Sequence, residues 1–149
     1  MYTDTEIRLS AMNFLARREH SKLELRQKIS RTFSGVSEQI ESVIDQLASE
    51  NLQSDDRFTE SFIRSRDGRF GPVRITSELR QRGICHSVIS LHLPDANDEY
   101  WDEVAVGVRE KKFGESLSLS HGDKAKQIRF LMYRGFTGQQ ASRTLQSCR

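Results

Sequence analysis

Arginine is the residue type in this sequence with the most to offer chemically. Between Arg57 and Arg82 the chain holds seven arginines against three acids, a local charge of about +4. The guanidinium is a planar fork of donors that matches carboxylate or phosphate. Arg64, Arg69, Arg74 and Arg80 gather around one expected helix end and the turn beside it. Phe58, Phe62 and Phe70 are interleaved with them, and aromatic faces beside cations can stack on nucleobases. Their spacing is that of an apolar helix face, so a core role is favoured for these rings. A charge run on a helix is ordinarily a solvated face. Arg26, Lys28, Arg57 and Arg66 stand evenly between that reading and a binding one.

Other chemistry is poorly supported. The sequence has no GxxxxGK[ST], no GxGxxG after a strand, no HExxH and no GxSxG. Cys85, His86 and His92 invite a metal reading, but no fourth ligand has suitable spacing. A helix-cap cysteine and surface histidines, His20 and His121 among them, are expected instead. Asp55, Asp56 and Glu60 share one helical turn, yet acids in a first turn are ordinary partners of the helix dipole. Trp101 and Tyr133 are expected in the core or between repeats. No catalytic residue, metal or cofactor is assigned.

The elements that position these residues read as helices. Thr3 with Glu6, Ser21 with Glu24, and Thr137 with Gln140 have the spacing of capping boxes. Ile7, Ala11, Phe14 and Leu15 mark a first apolar stripe. Leu25, Ile29 and Phe33 mark a second, closed by Ser34-Gly35. Val36, Ile40, Val43, Ile44 and Leu47 mark a third, ending near Asn51. Ser54 to Asp56 opens a helix carrying Phe58, Phe62 and Ile63. Gly71-Pro72 stops it, because the residue before proline is pushed out of the α region. A helix from about Pro72 to Arg82 carries Ile75 and Leu79. Gly83 ends it, since glycine reaches the left-handed conformation without a Cβ clash. The next runs from Cys85 to Pro94 with Val88, Ile89 and Leu91. A third round begins at Asn97-Asp98 with Trp101, Val104, Ala105 and Val108. It continues through Ala125, Ile128, Leu131 and Met132 to Gly135, and ends on Ala141 and Leu145.

Composition agrees with an all-α chain. The 149 residues are 36% hydrophobic and 30% charged, with two prolines. Period-2 alternation is confined to Ser116–Ser120. A formal net charge of +2 does not by itself signal nucleic acid, so the distribution carries the argument. Cys85 and Cys148 are far apart, which favours free thiols in a reducing compartment, the cytoplasm by default. No apolar run approaches the roughly 20 residues that span a bilayer, and the first ten residues do not read as a signal peptide.

Internal repetition decides the architecture. Leu25-Arg26-Gln27-Lys28 matches Leu79-Arg80-Gln81-Arg82, and Arg82-Gly83-Ile84 matches Arg134-Gly135-Phe136. Each third helix follows an apolar residue and a small cap: Val36-Ser37, Ile84-Cys85 and Phe136-Thr137, spaced 48 and 52 residues apart. The expected fold is three tandem three-helix repeats, 1–53, 54–95 and 96–149, stacked into an elongated, curved array that shares cores between neighbours. Charge alternates with the repeats. Residues 17–31 hold six bases and two acids; 38–56 hold six acids and no base. Residues 95–103 hold five acids and no base; 109–134 hold seven bases and three acids. Stacking is expected to segregate these into a basic and an acidic face suited to a charged, extended partner.

The stretch DDRFTESFIRSRDGRFGPVRITSELRQRGI, residues 55–84, resembles the signature of the RecX regulatory proteins. The first-repeat LELRQKI and the tail KAKQIRFLMYRGFTGQQASRTL are similar to that family too. The resemblance covers nearly the whole chain, and is most specific in the middle repeat. It implies a cytoplasmic monomer that binds the RecA recombinase on DNA, sits in the filament groove, and lowers ATP hydrolysis, strand exchange and co-protease action. DNA repair and the SOS response would be modulated accordingly. The residues expected to face the RecA filament or DNA phosphate are Arg26, Arg64, Arg69, Arg74, Arg80, Arg82, Lys126, Arg129 and Arg134. The competing readings are a stand-alone DNA-binding helical module and a general helical scaffold.

Overall fold

The computed structural model describes residues 1–146, and nine α-helices with no strand among them. They are α1 (Asp4–Arg17), α2 (Lys22–Thr32), α3 (Ser37–Ser49), α4 (Asp55–Arg66), α5 (Pro72–Gln81), α6 (His86–His92), α7 (Tyr100–Phe113), α8 (His121–Tyr133) and α9 (Gly138–Arg143). The three expected capping boxes all form, at Thr3–Glu6, Ser21–Glu24 and Thr137–Gln140. Each satisfies two backbone N–H groups that a helix start leaves unpaired. Ser37 behaves differently from the expected cap: it is the first helical residue, and Val36 before it gives no side-chain cap bond. Cys148 lies outside the described residues.

The chain forms two compact units. The first comprises Met1–Phe62 with Leu79–Ile89; the second comprises Ile63–Glu78 with the chain from Ser90 on. In the first, α1, α2 and α3 pack pairwise around Ile7, Ala11, Leu25, Ile29, Phe33, Ile40, Val43, Ile44 and Leu47. These are the positions that the three stripes of the sequence mark. Ser21 also donates its hydroxyl to the Arg82 carbonyl at 2.7 Å, just before Gly83, whose φ is +81°. One side chain therefore links the start of α2 to the end of α5. Asp55 accepts from the Lys22 N–H at 3.0 Å and from Gln53 Nε2 at 2.9 Å. Its carboxylate is thus committed to holding helix starts together.

His20 corrects an expectation. It is 1% exposed, not a surface residue. Its Nδ1 lies 3.0 Å from the Arg18 carbonyl and its Nε2 lies 2.9 Å from Lys28 Nζ. A neutral ring meets both, donating from Nδ1 and accepting at Nε2. The short α1–α2 connection folds this ring inward against Phe14.

In the second unit α7, α8 and α9 pack pairwise, with Trp101, Ala105, Val108, Leu131 and Ala141 buried. Trp101 is core as expected, and its indole donates to the Pro94 carbonyl at 3.2 Å. Tyr133 is not: it is 78% exposed, and Met132 and Leu91 are exposed as well. The buried positions of α8 are Gln127 and Leu131, four residues apart. Tyr133, two positions beyond Leu131, falls about 200° away around the helix. α9 ends at Arg143, so Leu145 lies beyond it.

Candidate anion-binding site

The turn between α4 and α5 is built against the end of α8 by main-chain bonds. Gly71 N–H donates to the Arg134 carbonyl at 2.9 Å, and Val73 N–H donates to the Gly135 carbonyl at 3.0 Å. Arg134 Nη1 returns a bond to the Arg69 carbonyl at 3.1 Å. The approach is closer than any side chain permits. A Cβ at Gly71 would lie 2.5 Å from the Gly135 carbonyl carbon and oxygen. Gly135 itself has φ +99°, a conformation that L residues with a Cβ rarely adopt.

This clasp gathers three of the expected arginines around one half-buried ring. Arg74, Arg134 and Arg69 place their guanidinium carbons 4.0, 5.2 and 5.7 Å from the Phe70 centroid. Such distances are those of cation–π attraction. Phe70 thus serves as a platform for cations, whereas Phe58 and Phe62 are buried core residues. Glu78 ties the cluster down from one side. It accepts from Arg66 at 2.9 Å and from Arg74 at 3.1 Å. Burial pushes the Glu78 carboxyl upward, but the two arginine hydrogen bonds outweigh it and hold the group below the usual carboxylate range.

Arg64, Lys126 and Arg129 are exposed in the same unit, and no described residue pairs with them. Arg80 is exposed and equally unpaired in the first unit. Arg26 is already engaged: its Nε and Nη2 grip Glu41 at 2.6 and 2.8 Å. The Arg26 hydrogen bonds hold the Glu41 carboxyl below its ordinary value. Arg82 lies 4.7 Å from the Phe62 centroid and 3.9 Å from Glu24. In the first unit the bases of α1 and α2 meet the acids of α3, also through Arg8–Glu50 and Lys22–Asp45. The expected segregation of charge therefore does not hold between these three helices. Side-by-side packing brings their oppositely charged rims within ion-pair reach.

Arg109 went unremarked in the sequence. It is fully buried in α7, with Nε and Nη2 lacking a hydrogen-bond partner. Nη1 makes long contacts of 3.4–3.5 Å to Gln127 Oε1 and to the Gly114 and Ser116 carbonyls. The signal was its position: Trp101, Ala105 and Arg109 stand at i, i+4, i+8 on the buried stripe. Lying in a basic run, it read as part of a solvated face. Among the described residues no group of three His, Cys, Asp or Glu side chains is placed to hold a metal ion. The arrangement supplies fixed positive charge for binding an anion.

Two family models match this chain, RecX second three-helix domain over residues 54–93 and RecX third three-helix domain over residues 98–145. A "Regulatory protein RecX" of Pseudomonas fluorescens is 41% identical over 141 residues, covering 93% of this chain and 89% of that protein. The chain belongs to the RecX family. The Halorhodospira halophila "Regulatory protein RecX" is 42% identical over 135 residues, covering 90% of this chain and 83% of that protein. The crystal structure of RecX from Lactobacillus salivarius superposes with a TM-score of 0.79 at 21% identity, covering 95% and 94% of the two chains. That last likeness establishes a RecX fold, whose regular elements among the described residues are all α-helices. No helix among those residues is long and apolar enough to cross a membrane.

Proposed function

We propose that this chain is a negative regulator of the RecA recombinase, binding the RecA–DNA filament and restraining its ATPase, strand exchange and co-protease activities. The observation that carries this is about 41% identity, over nearly the full length, to proteins named "Regulatory protein RecX". In this reading the chain acts as a cytoplasmic monomer of three repeats, 1–53, 54–95 and 96–149. It modulates DNA repair and the SOS response without catalysis of its own. The contact residues are Arg64, Arg69, Arg74, Arg80, Arg82, Lys126, Arg129 and Arg134, facing acidic protein surface or DNA phosphate; Arg26, expected among them, is engaged by Glu41. Occupying the filament blocks a second strand and hinders subunit rearrangement during ATP turnover. The clustered guanidiniums around Phe70 support this, because fixed cations suit a highly charged polymer.

The test is RecA ATPase on single-stranded DNA, titrated with this protein from substoichiometric to stoichiometric amounts. Inhibition is expected, and the Arg69→Glu, Arg74→Glu, Arg80→Glu triple variant is expected to lose it while keeping its helicity. Unchanged inhibition by the triple variant would remove these arginines from the contact. No effect of the parent protein on ATP turnover would sink the regulatory reading. The second reading, a DNA-binding module acting alone, draws on the cations with no acidic partner. Equal affinity for bare DNA and for the filament would favour it.

A further inference from the structure

A cleft of about 320 Å³ opens in the second unit between the α4–α5 turn, the end of α7 and the end of α8. It is lined by Gly68, Arg69, Val108, Lys111, Lys112, Phe130 and Arg134, four cations and no acid. Its volume falls at the small end of ligand sites, which run from about 300 to 1,000 Å³. The acids nearest in sequence are directed to other partners. Asp67 accepts from the Tyr100 hydroxyl at 3.0 Å, and Glu110 lies 4.0 Å from Arg109. The aromatic floor is held firmly. Phe130 packs edge-on against Phe113 with centroids 5.2 Å apart. Arg134 sits 5.1 Å from the Phe130 centroid and 5.2 Å from that of Phe70, so one guanidinium is fixed between two rings. Lys112 stands 5.8 Å from the Phe130 centroid.

We infer that this cleft seats a backbone phosphate of a single DNA strand. Deepening the proposed function, the assignment rests on that reading for the origin of the strand. Three separate chain segments aim their cations inward. A carboxylate offers its lone pairs in one plane. A phosphate presents oxygens on several sides and can meet donors arriving from different directions. The charge also continues beyond the cleft. Lys126 and Phe130 on α8 and Arg134, which caps its end, follow one another at i, i+4, i+8, with Arg129 beside them. At 1.5 Å per residue this row extends about 12 Å. A row of that length suits an anion whose charges repeat. Lys111 and Lys112 add cations from α7, and neither belonged to the arginine set that the sequence offered.

The experiment is fluorescence anisotropy of a labelled oligo-dT with the full chain and no RecA present, as a function of salt. The Arg69→Ala, Lys111→Ala, Lys112→Ala variant changes three exposed side chains and should keep its thermal melt. Affinity for oligo-dT at low salt is expected to fall at least about tenfold. The salt slope is expected to become shallower by about 2, since each cation on a single strand contributes about 0.7. A Lys111→Arg, Lys112→Arg variant should bind like the parent, because charge is retained. Unchanged affinity and slope in the alanine variant would overturn the inference, as would a parent protein that binds no oligo-dT at low salt. Unchanged DNA binding with lost binding to RecA alone would assign the cleft to an acidic protein surface instead, and overturn it too. Because RecA is absent from the anisotropy measurement, failure there is separate from failure of the ATPase test.

Discussion

The ion-paired helices of the first unit and the cleft of the second use the same residue types to opposite ends. In the first, bases are spent on neighbours: Arg26 grips Glu41, Arg8 meets Glu50 and Arg57 meets Glu19. In the second, Arg69 and Arg134 converge with Lys111 and Lys112 on one cleft that holds no carboxylate. The difference lies in what sits opposite. α3 presents Glu41 and Asp45 to Arg26 and Lys22 of α2. The ends of α7 and α8 instead face a turn that carries Arg69 and Phe70, and whose one acid, Asp67, is taken by the Tyr100 hydroxyl. A basic run in a sequence is therefore not a binding site until its neighbours are known. Neutralised pairs on a surface add little stability, whereas cations left together keep their charge available for a partner.

The largest expected effect comes from breaking the scaffold of the second region. Gly135→Ala places a Cβ against Arg74 at a residue with φ +99°, and should destabilise the protein by about 3 kcal/mol or more. Gly35, with φ +77° but nothing within 4 Å of an added Cβ, gives the contrasting case in the first region. Gly35→Ala should cost only about 1 kcal/mol. Urea denaturation of the two variants measures the gap, and equal losses would mean that the clasp contributes nothing beyond backbone conformation.

A smaller effect, confined to the first region, is a pH dependence. Burial lowers the pKa of His20 below its ordinary 6.5, against the opposing hydrogen bond to Arg18. The fold thus favours the neutral ring. Its contribution is complete above the unfolded value and is lost as pH falls through 6.5 toward the lower folded value. The melting temperature should drop by about 2–4 °C for each kcal/mol so lost between pH 7.5 and 5.5. That slope should flatten in His20→Gln. A parent melt that is flat over this range would show that the ring stays neutral or finds compensation.

Smallest is the effect of Arg26→Ala. Its pair with Glu41 is about two-fifths exposed on both sides, so stability should move by no more than about 0.5 kcal/mol. Oligo-dT affinity should change less than twofold. A large loss of DNA affinity in this variant would erase the distinction between paired and convergent cations.

Much of the helical framework was legible in the sequence because it is written locally. Capping boxes and the stripe from Val36 to Leu47 each lie within a few residues. The expected stop at Gly71-Pro72 is corrected: α4 already ends at Arg66, and Pro72 opens α5. What escaped depends on distant chain. His20 is buried by Lys28 and the turn before α2, and nothing in its immediate neighbours announces this. Arg109 occupies an apolar position of α7 while belonging to a basic run. Tyr133 read as core by type, yet its place around α8 sends it outward. Of the expected arginines, Arg69, Arg74 and Arg134 gather at Phe70. Arg74 is held by Glu78 one helical turn on, whereas Arg26 is held by Glu41, 15 residues away, which sequence distance alone does not pair. Nothing near Lys111 and Lys112 in the sequence sets them apart from ordinary helix-end charge. Their convergence with Arg134 depends on how α7 and α8 pack.

The bonds from Gly71 and Val73 to Arg134 and Gly135 run between peptide groups, and so do not depend on which side chains surround them. Both amides should exchange with deuterium only when the turn lifts away from the helix end. They would then report, residue by residue, how often the cation-bearing loop opens, and whether a bound strand slows that opening.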